Sequence, residues 1–183
     1  MAKRVVLFLA EGFEEVEAVT PIDLLRRAGI EVIVAGIGNL EIKGSHDIIV
    51  RADCLIDKLV GKVDGVVIPG GMPGAANIAA CEPAMALIRQ CREDGRLVAA
   101  ICAAPVVVLH NAGLVDGLRI TAYPAMQAQV SRCTCVNERV VVDQNVITSQ
   151  GVGSAAEFAC QILATLLDRA AADKIHQVTV QKD

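Results

Sequence analysis

The sequence predicts a single α/β domain spanning residues 1–183, built on a mostly parallel sheet. Three observations carry that expectation. Apolar runs of strand length alternate with helical runs along the whole chain, without internal repeats or low-complexity linkers, as in sheets whose strands are joined by helical crossovers. The strand runs, such as residues 5–9 and 97–101, are continuously apolar rather than alternating, so both of their faces are covered. The composition is 54% hydrophobic but only 2% aromatic, so Val, Ile, Leu and Ala must fill the core, which suits parallel strands under helices. At 183 residues the chain can bury a full core within one domain.

Residues 3–9 read as the first strand, and Ala10-Glu11-Gly12-Phe13 as the turn that ends it. Glu14-Glu15-Val16-Glu17 opens a helix to about Arg27, with solvated acids where the helix dipole favours them and Gly29 just past its end. Pro21 inside this run predicts a kink or restart. Residues 31–35 form the second strand. Gly36-Ile37-Gly38 is half of a dinucleotide fingerprint, but no third glycine opens a helix after it, so a nicotinamide cofactor is not expected; no other cofactor is expected either. Residues 39–45 read as loop or short strand, 48–51 as an edge strand, and 55–60 as a short amphipathic helix. A buried strand at 65–68 ends in Pro69-Gly70-Gly71-Met72-Pro73-Gly74, a turn whose backbone N–H groups can hold an anion or oxyanion.

A helix at 82–94 takes Pro83 in its first turn, a permitted place. The strand 97–101 then runs into Cys102 and a helix at 105–111, and a turn at Gly113, a strand at 119–122 and the corner Tyr123-Pro124 follow. Residues 140–143 and 146–149 flank Gln144-Asn145 as a hairpin. After the loop Ser149-Gln150-Gly151-Val152-Gly153, the run Ser154-Ala155-Ala156-Glu157 reads as a capping box opening a long helix to about Arg169. One more helical turn is expected near 173–177.

The net charge of −4, without a basic run, gives no footprint for nucleic acid or an anionic membrane. The first apolar run stops at Glu11, too early for a secretory segment, and no stretch approaches membrane-spanning length, so a cytoplasmic protein is expected. Seven cysteines, an odd set without CxxC spacing, do not form a disulfide framework. Cys133-Thr134-Cys135 is the only close pair; strand alternation would turn both thiols to one face, and they read as unpaired. Three histidines, His46, His110 and His176, do not supply enough nearby ligands, so no metal site is expected.

Cys102 is the residue around which the chain is organised. Ala100-Ile101-Cys102-Ala103-Ala104 places it at a sharp strand-to-helix turn flanked by small residues, the pattern that lifts a nucleophile clear of a sheet. The helix start beyond it predicts a lowered thiol pKa. The alternative is an ordinary buried cysteine. In a parallel sheet the strand C-terminal ends carry the site, and Glu11–Glu17, Gly70-Gly71 and Cys102 all fall at such ends.

Ala10-Glu11-Gly12-Phe13-Glu14-Glu15-Val16-Glu17, Val67-Ile68-Pro69-Gly70-Gly71, Ala99-Ala100-Ile101-Cys102-Ala103-Ala104-Pro105 and Thr148-Ser149-Gln150-Gly151-Val152-Gly153 together resemble the DJ-1/PfpI superfamily, in its DJ-1 and ThiJ/YajL branch. The resemblance covers nearly the whole chain, in order and with matching spacing. It implies a flavodoxin-like three-layer sandwich and a homodimer, with the apolar first helix the candidate for part of the dimer surface. It implies Cys102 as an oxidation-sensitive nucleophile and Glu17 as the carboxylic acid beside it. Gly70, Gly71 and Ala103 would supply N–H groups for an oxyanion, and Tyr123 would border the substrate. Read without the resemblance, Glu17 is a solvated first-turn acid like Glu14 and Glu15. Arg27 and His46 would help hold an anionic group, His46 standing where relatives often have arginine; the alternative is an ordinary surface role.

The activity so implied is a glutathione-independent glyoxalase or protein deglycase acting on methylglyoxal, glyoxal or their adducts. The alternative is a redox-sensing stress chaperone whose Cys102 oxidises to a sulfinate. A cysteine peptidase or amidase is the weaker reading, because Ala103 follows the cysteine where that branch carries histidine, and Tyr123 occupies a corner where some members have one. Val152 replaces a proline usual in the closest relatives, and His110 reads as an ordinary helix-end residue.

Overall fold

The computed structural model describes residues 3–182. Its strands, numbered in chain order, are β1 (Arg4–Leu9), β2 (Glu31–Gly36), β3 (Glu41–Lys43), β4 (Ile49–Arg51), β5 (Cys54–Leu55), β6 (Gly65–Ile68), β7 (Leu97–Ile101), β8 (Arg119–Ile120), β9 (Thr134–Cys135), β10 (Val140–Asp143) and β11 (Val146–Ser149). The α-helices are α1 (Glu15–Arg27), α2 (Gly74–Ala79), α3 (Glu82–Glu93), α4 (Ala155–Leu166) and α5 (Arg169–Val178). One seven-stranded sheet has the order β10-β11-β7-β6-β1-β2-β5. Its pairs are parallel except β10 with β11, the hairpin about Gln144-Asn145. The run β2-β1-β6-β7-β11 is the flavodoxin order 2-1-3-4-5, which reverses direction between β1 and β6 and opens a crevice at their carboxyl ends.

Alternation along the buried strands divides the core into two layers of side chains. Val5, Leu7 and Leu9 belong to a core layer with Leu25 of α1 and Phe158 and Ile162 of α4, and α5 packs on α4 and adds Ile175 to it. Val6 and Phe8 face the other way, toward Ile78 of α2, Ile88 of α3 and Leu109. Helices thus cover both faces, as continuously apolar strands require. Each fully buried Leu, Ile or Phe contributes about 1.5–3 kcal/mol relative to exposure.

Several sequence expectations are corrected. Helix α1 runs unbroken through Pro21, so no restart occurs; its inward residues pack on α4 and the sheet, and that burial outweighs the lost N–H. Residues 48–51 supply β4, which pairs with β3 in a separate ribbon rather than edging the main sheet. The helix expected at 55–60 is the end of β5 followed by a single 3₁₀ turn, Ile56–Lys58. The strand at 119–122 shrinks to β8, which leaves the main sheet to pair with β9. Helix α2 went unforeseen because Gly74-Ala75-Ala76 carries no amphipathic period.

The segment Pro105–His110 is helical as expected but π-wound. The last long helix is two: α4 ends at Leu166, and Asp168 caps α5 through the Ala171 N–H at 2.8 Å, so the tail holds a full helix instead of one turn. Ser154 does not form the expected box with Glu157. Its hydroxyl bonds Ser149 Oγ and Gly151, while Glu157 pairs with Arg139.

Candidate active site

Four chain segments converge at the carboxyl edge of the sheet: the loop after β1, Gly70-Gly71 after β6, Cys102 after β7 and residues 149–154 after β11. They border a cavity of about 480 Å³ whose wall includes Glu14, Glu17, His46, Cys102, Tyr123 and Arg139. Cys102 has φ of +66°, a left-handed conformation that costs a non-glycine residue about 1–2 kcal/mol. Two hydrogen bonds hold it there. Its N–H donates to the Ser149 carbonyl at 2.9 Å, and its own carbonyl accepts the Tyr123 N–H at 2.8 Å. The strain raises the thiol off the strand, as the elbow pattern predicts.

Glu17, in the first turn of α1, is fully buried. Its Oε2 accepts the Gly70 N–H at 3.0 Å. Oε1 lacks a partner of good hydrogen-bond geometry and shares its surroundings with Cys102 Sγ; both atoms lie against Gly151. Gly70 must be glycine, since a Cβ would stand 2.6 Å from both Cys102 Cβ and Glu17 Oε2. Gly71 has φ of +84°, and a Cβ there would meet the Glu14 N at 2.4 Å.

Burial pushes the Glu17 carboxyl up to about 7, and Glu14's charge adds to this; the thiol and the Gly70 and Val152 N–H groups pull back only in part. Burial likewise pushes Cys102 up to about 12, and the neighbouring Glu17 charge reinforces it. The Gly71 and Ala103 N–H groups face the sulfur and oppose that rise without cancelling it. The lowered thiol pKa expected at the helix start is therefore reversed, because desolvation and a carboxylate outweigh two N–H dipoles. Near neutral pH the Cys102–Glu17 pair holds at most one negative charge.

The structure gathers Glu17, Cys102, Gly71, Tyr123 and His46 around this cavity, with the Gly70 and Ala103 N–H groups directed at Glu17 and Cys102, but it changes the parts that several of them play. The Gly70 N–H is committed to Glu17 and so does not serve an oxyanion; Gly71 and Ala103 remain. Glu14 and Glu15 are buried, not solvated. Glu14 Oε2 caps α1 through the Glu17 N–H at 2.7 Å. Burial opposes ionisation of Glu15, yet the His46 ring and the backbone N–H groups of His46 and Ile48 hold it down at about 2.

His46 lies 2.9 Å from Glu15 Oε2 and has a raised pKa through that bond. Arg27 does not reach the pocket: it sits at the far end of α1, paired with Asp23 at 2.8 Å. The cation in the pocket wall is Arg139, held at 2.8 Å by Glu157. Sequence reading missed it because its place is set by the β10–β11 hairpin folding over the Gly151 loop. Tyr123 is 48% exposed at the rim. His110 is buried elsewhere, its Nε2 accepting the Ser131 N–H at 3.2 Å. Glu14, Glu15 and His46 also bring potential metal-ligand atoms within 4.8 Å of one another, a grouping that sequence spacing did not reveal.

Comparison with known proteins adds the following. A DJ-1/PfpI family model matches residues 3–165. The chain is 36% identical over 170 residues to protein DJ-1 homolog B of Arabidopsis thaliana, covering 91% of this chain but only 39% of that relative's length. It is 31% identical over 164 residues to the glutathione-independent glyoxalase DJR-1.2 of Caenorhabditis elegans, covering 88% of this chain and 87% of that protein. Among solved structures, oxidized Toxoplasma gondii DJ-1 superposes with a TM-score of 0.96 at 37% identity, covering 100% of both chains.

Proposed function

The chain belongs to the DJ-1/PfpI family, and on that premise we propose that it is a cysteine-dependent, glutathione-independent glyoxalase, with protein deglycase activity as an extension to glycated groups. One observation carries the reading: a half-buried thiol stands beside a fully buried carboxyl poised near neutral pH, with two N–H groups facing the sulfur. The C. elegans relative named as a glyoxalase supports it.

Near neutral pH the shared proton rests on the thiol, so the first step passes it to the Glu17 carboxylate and leaves Cys102 a thiolate held by the Gly71 and Ala103 N–H groups. The thiolate adds to the aldehyde carbon of methylglyoxal, and the new alkoxide takes the proton from Glu17 to give a hemithioacetal. Glu17, now ionised, removes the proton from that carbon and returns it to the neighbouring one through an enediol. The product is a thioester of lactate. Water then cleaves the thioester, releasing lactate and the Cys102 thiol, so no electrons leave the substrate.

A buried acid of pKa about 7 can take each half of this shuttle at physiological pH. Methylglyoxal consumption with lactate detection, without glutathione, tests the proposal. Cys102→Ser and Glu17→Gln should each lower the rate at least about 100-fold. Retained turnover in either variant would sink it.

A redox-sensing role is the second reading, favoured by the oxidized state of the T. gondii structure that this fold matches. The N–H groups facing the sulfur would then hold sulfinate oxygens, with Glu17 donating to one of them. The peptidase reading lacks a base: His46 is turned to Glu15, and His110 accepts from Ser131. We further read the chain as one cytoplasmic domain that forms a homodimer. Val16 and Val19, each 44% exposed on α1, support the dimer. Among the described residues no helix is long and apolar enough to cross a membrane.

A further inference from the structure

Cys133 and Cys135 lie outside the Cys102 cavity, and the proposed reaction does not use them. The ladder from Arg132 to Val136 keeps this segment extended: Gly117 N–H donates to the Arg132 carbonyl at 2.8 Å, Thr134 N–H to Leu118 at 2.8 Å and Val136 N–H to Ile120 at 2.9 Å. Thr134 is exposed, while the cysteines on either side are turned inward and half-buried against the cluster that contains Leu118 and Ile120. Both thiols therefore share one face of the strand. Both are free. They are close enough for a charge on Cys135 to raise the Cys133 pKa, after burial, the larger cause.

The spacing decides what such a pair can do. Extended residues two apart stand about 6.4–6.8 Å apart at Cα, the outer limit for a disulfide. Their Cα–Cβ bonds run nearly parallel, which keeps the Cβ atoms well beyond the roughly 3.8 Å a disulfide needs, so an S–S bond here would distort β9. A bridging metal ion would not, because two thiolates at about 2.3 Å from one ion keep their sulfurs roughly 4 Å apart. A sulfur-only donor pair in an apolar setting discriminates against hard cations and selects a thiophilic one.

We propose that Cys133 and Cys135 form a two-thiolate chelate site for a soft monovalent ion of the Cu(I) class. Binding exchanges two S–H protons for one Cu(I), with release of both protons and no change in oxidation state. The dithiolate complex carries one net negative charge, and the Arg132 guanidinium acts on Cys133 in the sense that favours it. This site departs from the expectation of no metal because it needs neither histidine nor carboxylate. It is independent of the Cys102 reaction.

The test is anaerobic titration of Cu(I) into fully reduced Cys102→Ser protein, in competition with a chromophoric Cu(I) chelator. The pocket thiol is thereby removed from the count. One Cu(I) per chain should be withheld from the chelator, with two protons released per ion. Adding Cys133→Ser or Cys135→Ser should each weaken retention about 100-fold, as loss of a chelate partner does, while circular dichroism shows the fold intact. Alanine at either position should give the same loss. Retention unchanged by these substitutions, or lost through only one of the two positions, would overturn the proposal.

Discussion

Glu17 shows how one residue couples chemistry to stability. Its carboxyl is raised from 4.5 to about 7 by burial first of all. The folded protein thus holds this proton more tightly than the unfolded chain does, so the stabilisation is full below about pH 4.5 and is lost as pH rises through 7. The loss amounts to about 3 kcal/mol. Glu17→Gln keeps the oxygen that accepts from Gly70 and has no charge to desolvate. Urea unfolding at pH 4.5 and pH 8 should show wild type losing stability across this range more steeply than the glutamine variant. Parallel pH profiles for the two proteins would mean that Glu17 is ionised without cost. Glu15, held at about 2 by His46 and backbone donors, acts with the opposite sign: its contribution is lost as pH falls from 4.5 toward 2.

The strand ends and the loops leaving them form the site, and their tolerance is narrow. Between β6 and α2 the chain passes Cys102 and Glu17 at a distance only glycine permits. Gly70→Ala would place a methyl against both side chains, and the neighbours it meets include the Ile101 carbonyl, which cannot swing aside. Overpacking of this kind costs typically about 1–3 kcal/mol. The variant should unfold at lower denaturant and lose methylglyoxal turnover together. Loss of neither would show that the loop has slack, and the proposed arrangement of thiol and acid would lose its geometric basis. By contrast, α1 tolerates Pro21 because its contacts with the sheet and α4, not its own hydrogen bonds, hold it in place.

At the scale of the whole molecule, α1 both positions Glu17 and presents Val16 and Val19 outward, one turn apart. Nearby chain also exposes Ile48 and Ile49, at 56% and 63%. Covering such a surface with a second copy removes apolar area from water at about 25 cal/mol per Å². Sedimentation should give a dimer for wild type and a monomer for the Val16→Glu, Val19→Glu double variant. A wild-type monomer at micromolar concentration would remove α1 as an interface.

Much of this protein was legible in the order of its residues. Continuous apolar runs announced a covered parallel sheet, because backbone pairing and two-sided burial leave that mark on any sequence. Small neighbours announced the Cys102 elbow, because only they fit a tight strand-to-helix turn. Resemblance of motifs placed Glu17 beside Cys102. Tertiary structure alone decided what sequence spacing cannot encode: that the thiol is raised to about 12 rather than lowered, that the Gly70 N–H is spent on Glu17, and that Glu14 and Glu15 are buried. It likewise decided that Arg139 and not Arg27 borders the cavity. Each of these depends on desolvation or on a partner distant in the chain, and both exist only once the loops from four strands have been brought to one edge of the sheet.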